Sequence, residues 1–326
     1  MRLSLYDKNL NRIAYIGEQY ISCFWSEGYN TVQNFTVELV ATSEYRKKVR
    51  TDCYVGRGDR ATLMVIKSVE IADGKIIASG KTASRIMDDV AFVGTIKAGQ
   101  TVDTAIQNAY NKTAKYNKLV IDAGNISAKY NHQISHKSIL ELCLNMCQSA
   151  DVGFRTIKKA GYLATEFYQP QLNPNLVFSE KFGNLFVENI VLSNEAEKNY
   201  AIVLGAGEGE NRTKVYVDLT GGEDRKEIIV DADDIQKEEG ENDSDYNSKL
   251  TARGIEKLLE MQGTFSCSFV PHAKDFGTRY DLGDILTIYL SEYGITLQAR
   301  VASFSEKSQG NSTEITVQVG KITLMR

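Results

Sequence analysis

The sequence predicts an α+β fold that is predominantly β: two antiparallel β-barrel domains, a small α/β insert between them and one late helix. Three observations lead there. The 326-residue chain has three prolines against 25 glycines and 17 tyrosines. That balance suits paired strands joined by tight turns, because proline removes a ladder donor and glycine supplies positive φ. Apolar and polar residues alternate with period two near both ends of the chain, the mark of half-buried strands. A helical apolar period is confined to three stretches, each with its own start or stop signal.

The first domain is read over residues 1–95. Its opening, Met1-Arg2-Leu3-Ser4-Leu5-Tyr6-Asp7, alternates and turns charged at once, so it reads as a strand and not as a signal peptide. In Asn34–Ala41, Phe35, Val37, Leu39 and Ala41 share one face with Thr36 and Glu38 opposite. Ala61–Ile71 and Lys75–Ser79 flank Asp73-Gly74, a strong hairpin signal.

The α/β insert is read over 96–177 and holds two short helices. In the first, Val102, Ala105, Ile106, Ala109 and Tyr110 form an apolar stripe, with Thr101 expected as its cap and Asp103 in the first turn. In the second, Ser138 and Glu141 form a capping-box pair ahead of Ile139, Leu142, Cys143, Met146 and Cys147. These helices are expected to pack on each other and on a few strands.

The second β domain is read over 178–326. Val215, Val217 and Leu219 alternate with Tyr216 and Asp218, and Glu227–Val230 returns after the Gly221-Gly222 turn. A polar stretch, 236–245, leads into the late helix near 244–262, lined by Tyr246, Leu250, Leu258 and Met261 and stopped by Gly263. Phe265–Val270, Asp284–Leu290, Gln298–Phe304 and Glu314–Leu324 complete the strands.

Composition narrows function by exclusion. The net charge of −4 gives no global pull toward nucleic acid or membranes. No apolar run approaches the roughly 20 residues that span a bilayer, so no membrane anchor is expected. Five scattered cysteines, an odd number, form no disulfide framework and suit a reducing cytoplasm.

Each candidate for chemistry reads better as structure. Gly74–Thr82 resembles a phosphate loop but has five residues between its glycines, and Ile76-Ile77-Ala78 reads as strand. Gly205-Ala206-Gly207-Glu208-Gly209-Glu210 precedes a strand, so no helix N-terminus is there to hold a pyrophosphate. His132, His136, Cys143 and Cys147 suggest zinc, yet the capping box starts the helix at Ser138 and leaves the histidines off the cysteine face. Asp231, Asp233, Asp234 and the acidic run 238–243 offer carboxylates, but the run departs from the calcium-loop pattern and a solvated acidic loop is the better reading. With three histidines and no Gly-x-Ser-x-Gly, no nucleophilic triad stands out. No catalytic, cofactor-binding or metal-binding residue is therefore assigned, and no cofactor is expected.

From residue 178 onward an ordered set of segments resembles the siphovirus Gp37-like tail protein family of phages and prophages. These are Phe178-Ser179-Glu180-Lys181-Phe182-Gly183-Asn184-Leu185, then Tyr200, then 205–212 with Gly207 and Arg212. Next come 222–227 with Arg225, then Val230-Asp231-Ala232-Asp233-Asp234-Ile235, then Ala252-Arg253-Gly254 and Tyr280-Asp281-Leu282-Gly283-Asp284-Ile285-Leu286. The opening strand with Trp25, Tyr29 and Asn30 is similar too. Ile202, where an asparagine is expected, and Arg225-Lys226, where two arginines are common, depart from the pattern.

The resemblance implies a tail-tip baseplate hub with two tube-protein-like barrels per chain. It implies a homotrimeric ring that continues the tail tube and has no enzymatic role. Its partners would be the distal tail or tube protein, the tape-measure protein and tail fibre or spike proteins, with nucleic acid only passing through the bore. The chain would be made in a bacterial cytoplasm and end at the tip of a virion or tail-like particle. Because the sequence stops soon after its last strand, a hub without a C-terminal extension is expected. Phe178, Phe182, Gly183, Asn184, Gly207, Arg212, Arg225, Asp231, Gly283 and Asp284 are the structural or interface candidates. A receptor- or carbohydrate-binding module of the tail tip is the alternative, and a tail-associated cell-wall hydrolase comes third.

Overall fold

The computed structural model of the chain describes residues 1–113, 118–130, 134–193, 197–221, 224–237, 240–261 and 264–324. Expectations placed on His132, Gly222-Glu223, Glu238-Glu239 and Gly263 lie outside the described residues. The fold is predominantly β with few helices, as the residue pattern predicts.

The first strands are β1 (Leu3–Tyr6), β2 (Arg12–Gly17), β3 (Ser22–Gly28) and β4 (Asn34–Val40), followed by a short helix α1 (Ser43–Lys48). Then come β5 (Tyr54–Arg57), β6 (Leu63–Ala72) and β7 (Lys75–Thr82). Phe35, Val37 and Leu39 are buried along β4, as their alternation requires. The β6–β7 hairpin turns at Asp73 and Gly74, both with positive φ (50° and 73°), the geometry that matches strand twist. Lys75–Thr82 is therefore strand throughout and cradles no phosphate. Gly80 within it allows β6 to approach, since a Cβ there would lie 1.9 Å from the Val65 carbonyl oxygen.

Next are β8 (Ala91–Ile96), α2 (Val102–Asn111), β9 (Leu119–Ile121), β10 (Ile134–Ser138), α3 (Ile139–Ser149), β11 (Gly153–Lys158) and β12 (Leu163–Tyr168). The capping box on α3 forms: the Ser138 hydroxyl accepts from the Glu141 amide at 3.2 Å, and the Glu141 carboxylate accepts from the Ser138 amide at 3.0 Å. On α2 the expected cap is corrected. Thr101 occupies the capping position without a side-chain bond to the helix amides. Asp103 instead accepts from the Thr104 amide at 2.7 Å and from the amides of Gly124, Asn125 and Ile126 at 2.8–3.2 Å. The carboxylate thus ties the helix start to the 124–126 loop. Ile106, Tyr110, Leu142, Cys143 and Met146 share one core with Tyr54, Leu63 and Val65, so the insert packs on the β5–β6 strands.

The chain continues through β13 (Leu172–Phe178), β14 (Leu185–Ser193), β15 (Tyr200–Leu204), β16 (Lys214–Asp218) and β17 (Glu227–Asp231). After α4 (Asp243–Glu260) come β18 (Thr264–Pro271), β19 (Ile285–Leu290), β20 (Ile295–Gln309) and β21 (Ser312–Leu324). Two compact units result: Met1–Phe186 with Phe269–Arg326, and Val187–Ser268. This division differs from boundaries at 95 and 177. The physical reason is β20, whose Ile295–Arg300 pairs with β19 while its Ser303–Gln309 pairs with β3.

The last strands thus complete the sheet of the first ones. In the first unit that sheet has eleven strands in the order β13-β19-β20-β3-β4-β7-β6-β5-β1-β2, with β21 also on β20. Its path is open at both ends, so among the described residues no barrel closes. The second unit contains a three-stranded sheet, β16-β15-β17, whose Ala201, Val203, Val217 and Val230 pack against Tyr246, Leu250 and Leu258 of α4. It is a two-layer α/β module, where the sequence reading places a barrel with an inserted helix.

Candidate functional site

The first unit buries a cluster of charges that residue periodicity does not reveal. Cys23, Trp25 and Glu27 alternate into the interior of β3, and the register sets Glu306 opposite Trp25 and Phe304 opposite Glu27. Glu27 and Glu306 are thereby carried inside at 4% and 6% exposure. A buried carboxylate is tolerated only when paired, and two arginines supply the pairs. Arg60 grips Glu27 through two bonds of 3.1 Å and reaches Asp281 at 3.4 Å. Arg57 donates twice to Asp59 at 2.9 and 2.6 Å and once to Glu306 at 2.7 Å. Trp25 completes the set by donating from Nε1 to Glu27 at 2.9 Å.

Aromatic faces surround both guanidinium groups. Arg57 lies 5.6 Å from the Trp25 ring and 5.8 Å from the Phe304 ring. Arg60 lies 5.0 Å from Phe276, which stacks on Phe304 at 4.4 Å. Burial works to lower the pKa of Arg60, but the charges and hydrogen bonds of Glu27 and Asp281 together outweigh it and the net shift is upward. Arg57 is raised likewise against the same burial effect, by Asp59 and Glu306. The Arg57 hydrogen bonds hold the Asp59 carboxyl below its ordinary value.

Beside this cluster opens a cleft of about 550 Å³ lined by residues of the first unit, among them Thr62, Phe154, Arg155, Tyr168 and Tyr280. Four carboxylates face it. Glu27 is held by Arg60, Asp59 by Arg57, Asp281 by Arg60 and the Leu282 amide, and Asp284 by the amides of Gln171 and Asp281. Each of these four thus accepts at least one hydrogen bond from an arginine or a backbone amide.

The motif residues divide between the units. In the first, Phe178 is buried and meets Tyr280 edge-on at 5.4 Å, while Phe182 is exposed. Gly183 (φ 65°) ends the 3-10 turn Glu180–Phe182, and the Asn184 carboxamide braces that turn through the Ser179 amide and the Val177 carbonyl. Gly283 (φ 88°) sits where a Cβ would come within 2.4 Å of the Tyr29 ring. Asp284 closes the same loop through its two amide bonds.

In the second unit, Gly207 (φ 125°) holds a backbone conformation that favours glycine, and a Cβ there would crowd the Arg212 Cα at 3.0 Å. Arg212 donates to the Leu204 and Gly205 carbonyls, both at 2.7 Å, and to Asp231 at 2.5 Å. Its hydrogen bond draws the Asp231 pKa down. Arg225 lies 3.4 Å over the Tyr200 ring and 2.7 Å from Glu227. Gly205–Glu210 is a turn between β15 and β16, tied to α4 by the buried Tyr246. The Tyr246 hydroxyl accepts from the Ala206 amide and donates to the Ile235 carbonyl. Gly254 lets α4 press on the sheet, since a Cβ there would lie 2.7 Å from Val203 and Val217.

Of the zinc candidates, His136, Cys143 and Cys147 lie among the described residues. Cys143 and Cys147 are fully buried on α3, where burial pushes both thiols up, while His136 lies in β10. Among the described residues no three histidine, cysteine, aspartate or glutamate side chains gather as metal ligands. No helix among them is long and apolar enough to cross a membrane.

Comparison with known proteins adds to this geometry. The fold is similar to that of prophage tail protein gp18 from Listeria monocytogenes EGD-e, with a TM-score of 0.61 at 11% identity over 98% of this chain and 95% of that one. It is also similar to the prophage MuSo2 43 kDa tail protein from Shewanella oneidensis, with a TM-score of 0.57 at 11% identity over 98% of both chains. The tail protein from Neisseria meningitidis MC58 gives a TM-score of 0.56 at 12% identity over 98% of this chain and 96% of that one. No curated protein matches the sequence. The family model of siphovirus ReqiPepy6 Gp37-like proteins matches residues 2–321, and the chain belongs to that family.

Proposed function

We propose that this chain is a structural hub subunit at the tip of a phage or phage-like tail. Three copies form a ring that continues the tail tube. Its neighbours are the distal tail or tube protein, the tape-measure protein, and fibre or spike proteins. What carries this reading is family membership over 2–321, in a chain whose fold is matched nearly end to end by tail proteins. The cleft supports a non-catalytic role, because its four carboxylates are tied to arginines or backbone amides. A ring subunit also gives a use to open sheet edges, which are otherwise an aggregation hazard.

The test is light scattering of the purified full chain, together with imaging of tails from particles that lack and regain its gene. The expected results are three times the chain mass, and tips that are missing without the protein. A monomer at every concentration, with tips intact in its absence, sinks the proposal. A clearing band in a cell-wall zymogram would overturn the non-catalytic part.

A further inference from the structure

The cleft of the first unit has a built interior. Buried polar groups line it: Glu27 is 4% exposed, Thr156 2% and Ser84 5%. Each is fixed by a neighbour. Arg60 and Trp25 hold Glu27, the Thr165 hydroxyl meets Thr156 at 2.9 Å, and the Thr82 hydroxyl meets Ser84 at 3.1 Å. Exposed side chains complete the lining, among them Arg155, Gln169, Gln171 and Arg279. A volume of about 550 Å³ falls within the range of roughly 300–1,000 Å³ usual for small-ligand sites.

The charges of the cleft cancel. Glu27, Asp59, Asp281 and Asp284 are met by Arg60, Arg155 and Arg279, and Arg57 adds its cation through two bonds to Asp59. A charged ligand gains little net attraction from such a set. Hydrogen-bonding capacity is nevertheless left over on both sides. An ionised carboxylate accepts several hydrogen bonds, and the bonds to Asp281 and Asp284 leave lone pairs unused. Arg155 meets Glu166 at 3.5 Å and Arg279 meets Asp275 at 3.5 Å, both at the long limit of such a contact. Most guanidinium donors of these two arginines are therefore available to a ligand.

We propose that this cleft binds an uncharged oligosaccharide of the bacterial cell surface. A sugar is neutral and its hydroxyls both donate and accept, which matches spare acceptors on the carboxylates and spare donors on the arginines. Groups already held in place by the fold lose little freedom on binding. A peptide strand from a partner protein is a poorer match. β11 supplies one wall, and its Phe154 and Lys158 amides are already spent on the Asn30 side chain and the Ala61 carbonyl. Strand addition needs such edge groups free. The ligand chemistry rests on the cleft alone, while the cell-surface source rests on the hub reading above.

The test is a printed array of bacterial glycans with uncharged, uronic-acid and amino-sugar members, probed with the labelled full chain. Uncharged members are expected to bind, and charged ones roughly tenfold more weakly, because a buried charge would lack a partner. With the best uncharged member as a free oligosaccharide, Arg155→Ala combined with Arg279→Ala is expected to weaken binding about tenfold. Both side chains are at least half exposed, which makes the variant a mild one for the fold. A second measurement needs no substitution: saturating sugar is expected to shield Arg155 and Arg279 from phenylglyoxal, read by mass spectrometry. Three results overturn the proposal: no binding to any uncharged glycan, binding of charged glycans as tight or tighter, and binding that leaves both arginines open to the reagent. Shielding of both arginines in intact tails without added sugar also overturns it, in favour of a partner protein that fills the cleft. The hub reading stands or falls separately, on the mass by light scattering.

Discussion

The two units are held together in different ways. The first is stitched by partners far apart in sequence: Arg57 bonds Glu306 across 249 positions, and Tyr20 bonds Ser308 across 288. The second is one continuous stretch whose sheet meets a single helix at Gly254. The first unit therefore depends on buried charges finding their partners, and the second on one close seam. Charge burial makes a structure intolerant of losing either partner, because the survivor stays desolvated. A small two-layer module is instead sensitive to added volume.

The sharpest way to break the contrast is Arg57→Ala. It leaves Glu306 buried beside Trp25 without its cation, and a loss of about 3–5 kcal/mol is expected. The sole tryptophan, Trp25, lies in the first unit, so its fluorescence during urea unfolding reads that loss directly. Asp103→Asn comes next, at roughly 1.5–3 kcal/mol for hydrogen bonds to a charged group. Burial alone would raise the Asp103 pKa, but bonds from the Thr101 hydroxyl and the amides of Thr104, Asn125 and Gly124 lower it overall. A folded pKa below the unfolded one gives a contribution that is complete above the unfolded value of about 3.9. That contribution is lost as pH falls through the folded value. Acid titration of stability should therefore fall more steeply for the wild type than for Asp103→Asn below about pH 4.

Gly254→Leu tests the other side of the comparison. Its side chain would collide with Val203 and Val217, at an expected loss of about 1–3 kcal/mol. Hydrogen exchange of the β15–β17 amides should accelerate while the Trp25 transition stays in place. The smallest effect is expected from Lys48→Ala, which removes an exposed pair with Glu44 on α1 and should shift stability by at most about 0.5 kcal/mol. A large effect there would mean that burial is not what makes charge matter in the first unit.

What was legible in the residues was local. Asp73-Gly74 marks its hairpin, Ser138 and Glu141 their capping box, and the stripes from Val102 and Tyr246 their helices, because each signal and its consequence lie within one or two turns of chain. The pairing of β20 with β3 has no such local signature. Both strands alternate as any strand does, and nothing in Phe304 or Glu306 names Trp25 as a neighbour. Barrels were expected from consecutive strands, whereas the first sheet draws on both ends of the chain.

The site was harder still. Glu27 and Arg57 read as ordinary polar strand residues, and only the fact that Tyr54–Arg57 is buried throughout exposes the arginine as interior. The glycine and aspartate motifs were visible, and the structure gives most of them turns and braces to hold.

β20 also imposes an order on biosynthesis. It leaves the ribosome after β3, β4 and the second unit are already available to fold, so the nascent chain carries an unfinished edge along β3 until β20 emerges. Premature release would strand that edge with Glu27 and Arg57 lacking their final surroundings. Exposed edges of that kind are what makes incompletely folded chains prone to aggregation.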